Sequence, residues 1–238
     1  MRIPERVPTG IEGFDRLVQG GFPERTINLV SGPAGSGKSL FALHYCLNGA
    51  VRYHEPSMYV MLEETKENLE RAMRAFGMDR SAVDRSSRFL LIDLGELRNA
   101  GPKSISIGFE ELQEFLASTL RSSNVRRLVI DSLSAVGLRY PTVEEFREHL
   151  FAFCRFLRDT DVTTVLIAEC PNGDALTRTG VEQFLADSFT YLGLEEVRGD
   201  LRRTVTVRKM RFTKHDTAKH PILITAGGLA VLSDEKVA

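Results

Sequence analysis

The chain lacks the marks of a secreted or membrane protein. Its only cysteines, Cys46, Cys154 and Cys170, are far apart and form no C-x-x-C pair. That excludes a disulfide framework or a zinc knuckle and reads as buried, reduced thiols of a cytoplasmic protein. No apolar run of about 18 residues occurs, so a transmembrane helix is not expected. The opening Met1-Arg2-Ile3-Pro4-Glu5-Arg6 has no apolar signal-peptide core. Charge of one sign is not in excess either, with 31 Lys and Arg against 32 Asp and Glu. No global basic field advertises nucleic acid, which leaves only a local patch to bind it. Repeats, low-complexity tracts and Pro/Ser-rich linkers are missing too. A chain of 238 residues with 42% hydrophobic content then reads as one domain, 1–238, with enough apolar material for a core.

What is present is a glycine loop. Gly32-Pro33-Ala34-Gly35-Ser36-Gly37-Lys38-Ser39 fits G-x-x-x-x-G-K-[ST]. Ile27 to Ser31 before it reads as a short buried strand. Leu40 to Val51 after it reads as a helix with Leu40, Leu43 and Leu47 on one face. In that order, the backbone N–H groups from Gly32 to Leu40, except at Pro33, which has none, and the helix N-terminus point at phosphates. Lys38 is placed to reach the β- and γ-phosphates, and Ser39 to hold Mg²⁺. The ligand is therefore a nucleoside triphosphate with Mg²⁺.

Helical and strand-like patterns alternate through the rest of the first two thirds. Strands are expected at Ser57 to Leu62, Phe89 to Leu94, Leu128 to Ile130 and Thr163 to Ala168. Helices are expected at Lys66 to Gly77 (Leu69, Met73 and Phe76 inward) and at Ile105 to Leu120 (a stripe of Phe109, Leu112, Leu116 and Leu120). A further helix, Val143 to Arg158, has Val143, Phe146, Leu150, Cys154 and Leu157 at helical spacing. The alternation argues for an α/β fold, a mainly parallel twisted sheet flanked by crossover helices. Near residue 188 strand begins to follow strand. Phe189 to Val197 and Leu201 to Arg211 flank the turn Arg198-Gly199-Asp200, and Ile222 to Thr225 and Leu229 to Leu232 flank Ala226-Gly227-Gly228. The sheet should end in antiparallel strands.

Three further elements bear on phosphoryl chemistry. Asp131 closes the apolar run Arg127-Leu128-Val129-Ile130 and can complete the magnesium shell from a strand tip. Glu63 and Glu64 follow the strand after the loop helix, where ligands sit in open parallel sheets. They are a candidate base, Glu63, with Glu64 in support, or they are acids favouring the next helix dipole. Lys209 and Arg211 share a strand face by period-2 spacing, after Val205 and Val207 on that face. They can neutralise charge on a transferred phosphoryl group, or form a solvated basic edge.

These residues together resemble the KaiC-like branch of the RecA-type ATPases, from about Val7 to Leu232. The resemblance rests on Thr9-Gly10-Ile11-Glu12-Gly13-Phe14-Asp15, Gly20-Gly21-Phe22-Pro23, Glu63-Glu64-Thr65 and Ile130-Asp131-Ser132-Leu133-Ser134-Ala135. It also rests on Thr179 to Phe184 with Ala186-Asp187, and on Lys209-Met210-Arg211 with Thr213 and His215. It implies a RecA-type P-loop core and slow ATP hydrolysis in a ring-shaped homo-oligomer, hexameric in form, with ATP between subunits. It also implies that Lys209 and Arg211 reach a neighbour's γ-phosphate and that His215 lies by the neighbour's base or ribose. ATP rather than GTP rests on this resemblance alone. The chain also departs from the family. It carries one such domain where the family's clock protein carries two. Phe212 replaces the usual glycine, and Gln183 and Phe184 stand where the clock protein has its phosphorylated Ser-Thr pair. Glu169 stands where many recombinases place an amide, and a carboxylate cannot donate that bond unless protonated.

Three functions are compatible with these features. The first is an Mg²⁺-dependent ATPase that switches a protein partner by nucleotide state. The second is a recombinase paralogue binding single-stranded DNA through loops 137–142 and 171–180, where Arg139, Tyr140 and Arg178 are sparse, or through the basic Arg202 to Lys219. The third is an ATP-bound scaffold without turnover, such as a motor accessory protein. Glu63, Glu64, Lys209 and Arg211 favour the first, because a scaffold has no use for all four.

Overall fold

The structure, a computed structural model, describes residues 4–78, 84–95, 107–170, 175–197 and 199–237. Eleven strands are placed: β1 (Arg6–Val7), β2 (Phe22–Pro23), β3 (Ile27–Gly32), β4 (Ser57–Met61), β5 (Phe89–Asp93), β6 (Arg127–Asp131), β7 (Thr163–Glu169), β8 (Ser188–Val197), β9 (Asp200–Met210), β10 (Lys219–Thr225) and β11 (Gly228–Val231). The helices bounded within the described residues are α1 (Phe14–Leu17), α2 (Lys38–Val51), α3 (Lys66–Ala75), α4 (Phe109–Ser123), α5 (Leu133–Gly137), α6 (Val143–Arg158) and α7 (Glu182–Leu185). Nine strands form one sheet in the order β11-β10-β9-β8-β3-β7-β6-β4-β5. From β8 to β5 neighbours run parallel, and from β8 to β11 they run antiparallel. The expected mainly parallel sheet with an antiparallel C-terminal end is what forms.

Both faces of β3, β4, β6 and β7 are buried, which is why they read as unbroken apolar runs, whereas the edge strand β5 is only half-buried. Tyr59, Met61, Val129, Val165 and Ile167 face α2 and α3. Met58, Val60, Leu128, Ile130 and Leu166 face α4 and α6. On α6, Phe146, Leu150, Cys154 and Leu157 are buried as expected, but Val143, in its first turn, is exposed. Phe76 caps α3 and is only partly buried, as is Leu120 of α4. The expected helix start at Ile105 falls outside the described residues, as does Arg198 in the β8–β9 turn.

Helix α2 departs furthest from expectation. The Leu40, Leu43 and Leu47 stripe is buried, but so are Phe41, Ala42, Tyr45 and Cys46 on the other sides. The cause is the lead-in segment before β3, which covers the outer side of α2. Phe14 meets Phe41 edge-on with ring centroids 4.9 Å apart, and Phe22 meets Tyr45 at 5.7 Å. Asp15 builds the turn that makes this possible: its carboxylate accepts from the N–H groups of Thr9 and Gly10 and from the Thr9 hydroxyl. Gly21 sits at φ +129°, where a Cβ would lie 2.2 Å from the Val7 carbonyl oxygen. Only glycine allows that approach.

Arg127 begins β6 with its side chain wholly buried. Its Nε donates to Glu55 at 2.5 Å, and Nη1 donates to the carbonyls of Pro8 and Tyr45. The guanidinium also lies 5.0 Å from the ring centroids of Tyr45 and Tyr53. It ties the lead-in segment, α2 and β6 together at the edge of the sheet away from the glycine loop.

Candidate functional site

Strands β3, β7, β6 and β4 lie side by side and end on one edge, at Gly32, Glu169, Asp131 and Met61. The glycine loop leaves β3 there and enters α2. A Cβ on Gly32 would lie 2.1 Å from the Leu192 carbonyl oxygen, so the loop can leave the sheet only through glycine. Gly35 and Gly37 hold φ values of +79° and +101°, which L side chains resist. Ala34 and Gly35 are exposed at the loop tip, and Leu40 is buried beneath it. The Pro33 carbonyl accepts from the Ser36 N–H and, at 2.9 Å, from Lys38 Nζ.

Two observations fit this loop to a triphosphate with Mg²⁺. The Ser36 hydroxyl is buried and has no hydrogen-bond partner among the described residues, and a buried polar group of this kind calls for a ligand or water. The Ser39 hydroxyl faces the Asp131 carboxylate closely enough to favour its charged form, and together they are hard oxygen groups of the kind Mg²⁺ takes. Burial pulls the Lys38 ammonium down from its usual pKa, while Glu169 and Asp131 oppose the shift. Burial pushes the Asp131 carboxyl up, opposed by its bonds to Tyr59 and Ser39 and by the charge of Lys38.

The sequence reading missed Tyr59. Its hydroxyl donates to Asp131 Oδ2 at 2.6 Å from the adjacent strand. The signal was there: a tyrosine between Met58 and Val60 in a fully buried strand must find a partner for its hydroxyl. Tyr59→Phe should keep the fold and weaken Mg²⁺ binding by about 10- to 100-fold, the usual cost of losing a group that orients a metal ligand. Titration of nucleotide binding against Mg²⁺ checks this, and an unchanged Mg²⁺ requirement counts against it.

The paired glutamates separate. Glu63 Oε2 accepts from the Ser132 hydroxyl at 3.0 Å, which turns its carboxylate toward the tip of β6. Glu64 turns the other way. Its Oε1 accepts from the Thr65 N–H at 3.1 Å and from Asn68 Nδ2 at 2.8 Å, at the start of α3. The helix-terminal reading left open by the sequence fits Glu64. Glu169 donates its backbone N–H to Ser134 Oγ at 3.0 Å, and its side chain is exposed. Arg203, counted in the sequence only as part of a basic segment, donates from Nε to the Gly35 carbonyl at 2.9 Å. It joins β9 to the loop tip.

Lys209, Arg211 and His215 are not at this edge. Met210 pairs with Ser188, and Ser188 pairs with Asn28 at the start of β3. At about 3.3 Å per residue, the length of β3 alone puts roughly 13 Å between this pair of cations and their own glycine loop. Lys209 Nζ donates to the carbonyls of Ala186 (2.6 Å) and Gln183 (3.2 Å). Arg211 Nη1 lies 3.3 Å from Asp187 Oδ1, an oxygen that Arg158 approaches at 3.4 Å. Burial and the neighbouring Arg211 charge pull the Lys209 pKa down. The expected shared face with Val205 and Val207 does not form. Thr190 pairs with Val207 and Phe189 with Lys209, so Arg208 is an extra residue in a bulge. Beyond it Met210, not Lys209, continues the buried face of Val205 and Val207. His215 is partly buried in the following loop, and its Nε2 has no partner among the described residues.

The groups proposed to meet DNA are largely engaged elsewhere. Arg139 pairs with Glu111 at 3.1 Å, and Tyr140 stacks on Phe109 and accepts from its N–H. Lys219 pairs with Glu195 at 2.8 Å. Residues 171–174 of the second loop lie outside those described. No described helix is long and apolar enough to cross a membrane.

A glycine loop between a buried strand and a helix, with a carboxylate on the next-but-one parallel strand and an antiparallel C-terminal end, defines a RecA-type P-loop nucleotide-binding protein. Residues 7–236 match the family model for the KaiC ATPase, and the chain belongs to that family. It is 34% identical over 231 residues to a circadian clock oscillator protein KaiC of Parathermosynechococcus lividus, covering 96% of this chain and 42% of that protein. It is 32% identical over 242 residues to a UPF0273 protein of Pyrococcus horikoshii, covering 98% of this chain and 96% of that protein. The crystal structure of a KaiC-like protein from Pyrococcus horikoshii superposes with a TM-score of 0.83 at 35% identity, covering 96% of this chain and 99% of the other. The chain spans less than half the length of the clock proteins it matches.

Proposed function

We propose that the chain is a single KaiC-type domain that hydrolyses ATP at sites shared between neighbouring copies in a ring, hexameric in form, and that its nucleotide state switches a protein partner. One observation carries this reading. The glycine loop, Asp131 and Glu63 occupy one end of the sheet, and Lys209 and Arg211 occupy the other. One copy cannot bring both sets to the same phosphate, but two copies stacked head to tail can.

The residues then divide the work. The loop N–H groups and Lys38 hold the β- and γ-phosphates. Ser39 and Asp131 hold Mg²⁺, which when bound neutralises charge on the phosphate oxygens. Glu63, oriented by Ser132, takes a proton from the attacking water as its oxygen bonds to the γ-phosphorus and the bond to the β-phosphate oxygen breaks. Arg211 and Lys209 of the adjacent copy stabilise the negative charge spreading over the transferred group, and ADP and phosphate leave. His215 contributes to the same neighbouring nucleotide from the loop after Arg211. Slow turnover fits a site complete only in the assembled state. The single-stranded DNA reading is weakened by the partners that Arg139, Tyr140, Arg203 and Lys219 already have.

The reading is tested by phosphate release with MgATP across a protein dilution series, with oligomer mass measured alongside. Specific activity should rise with assembly. An assembled chain that binds ATP and releases no phosphate favours the scaffold reading.

A further inference from the structure

Lys209 and Arg211 are bordered by two exposed aromatic side chains that no role above uses. Phe184 on α7 is 66% exposed, and Phe212, directly after Arg211, is 64% exposed. Both sit next to the cations. Lys209 bonds to the α7 carbonyl of Gln183 and to Ala186 just beyond, and the Arg211 N–H donates to the Asp187 carbonyl.

Phe212 has a second unusual feature. Its φ is +60°, a left-handed conformation that a bulky L residue adopts only under constraint. The constraint is visible. Arg6 Nη2 donates to the Phe212 carbonyl at 3.0 Å, and Nη1 donates to Thr213 Oγ1 at 2.7 Å. A strained backbone that displays an apolar ring to solvent gains nothing within a lone chain.

We infer that Phe184 and Phe212 form an aromatic collar around Lys209 and Arg211 that packs on the nucleotide-bearing edge of a second copy of this chain. The inference rests on the shared-site reading and adds the residues that hold the two copies together. Charge selects the occupant. Around the two rings, Lys209, Arg211 and Arg158 gather about the carboxylate of Asp187, a local excess of positive charge. The opposite end carries Glu63, Asp131 and Glu169 against Lys38 and Arg203, and a bound triphosphate would tip that balance to negative. Opposite charges at opposite ends of one chain fit a heterologous, repeating contact. Aromatic rings around arginine at the centre of such a contact exclude water and strengthen the charge interactions.

The test measures the concentration of half-assembly with MgATP by light scattering, for wild type, Phe184→Ser, Phe212→Gly and a control, Phe151→Ser, exposed on α6. Each collar variant should need about tenfold more protein to assemble, equivalent to about 1.4 kcal/mol, and the control should match wild type. The thermal midpoint of the dilute Phe212→Gly chain should be unchanged or higher, because glycine takes a positive φ without strain. Unchanged half-assembly in both collar variants overturns the inference. If Arg211→Ala then assembles but releases no phosphate, the shared site survives without the collar. A wild-type chain that stays monomeric at every concentration overturns both.

Discussion

Arg211→Ala is expected to lower phosphate release by about 10³- to 10⁵-fold, the range for removing a finger cation, with ATP binding intact. The separation of binding from turnover follows from position. Arg211 lies at the far end of the sheet from its own glycine loop, so a bound nucleotide does not lose a ligand from its own chain. The fold should tolerate the change, because Asp187 keeps Arg158 and accepts from the Ile27 N–H at 3.1 Å. A loss of ATP affinity equal to the loss of rate would instead show that Arg211 binds ground state and transition state alike.

Glu63→Gln is expected to lower phosphate release by about 10²- to 10⁴-fold, the usual contribution of a positioned general base, again with ATP bound. The amide keeps an oxygen to accept from Ser132, so the local geometry should persist while the proton acceptor is lost. Glu64→Gln should do far less, since Glu64 is occupied at the start of α3. Equal losses from the two substitutions would contradict that division. The two inactive chains also test each other. In a shared-site ring, an Arg211→Ala copy supplies an intact Glu63 and a Glu63→Gln copy supplies an intact Arg211. An equal mixture should recover up to about a quarter of wild-type activity, since interfaces form at random between heterologous surfaces. No recovery from a mixed ring would place both groups in one chain's site.

Much of this was legible in the chain. The glycine loop carries its own geometry, because Gly32, Gly35 and Gly37 are needed for backbone conformations and approaches that other residues do not allow. The central parallel strands β3, β4, β6 and β7 announce themselves as apolar runs because both of their faces are covered. The C-terminal hairpins follow from their glycine turns. In each case the determining force is local, or repeats with the period of the element, and so appears in the order of residues. The tertiary structure decided the rest. The burial of α2 beyond its leucine stripe comes from a distant segment, Pro4 to Pro23, held by Asp15 and by Phe14 against Phe41. The different fates of Glu63 and Glu64 depend on Ser132, just after β6, and on Asn68 from α3. The face on which Lys209 lies depends on one extra residue, Arg208, whose bulge exists only through pairing with β8. The position of Arg211 at the opposite end of the sheet from the phosphate loop follows from strand direction. Which non-consecutive strands lie side by side, β8 against β3 above all, is set by long-range contacts, and no local pattern along the chain encodes it.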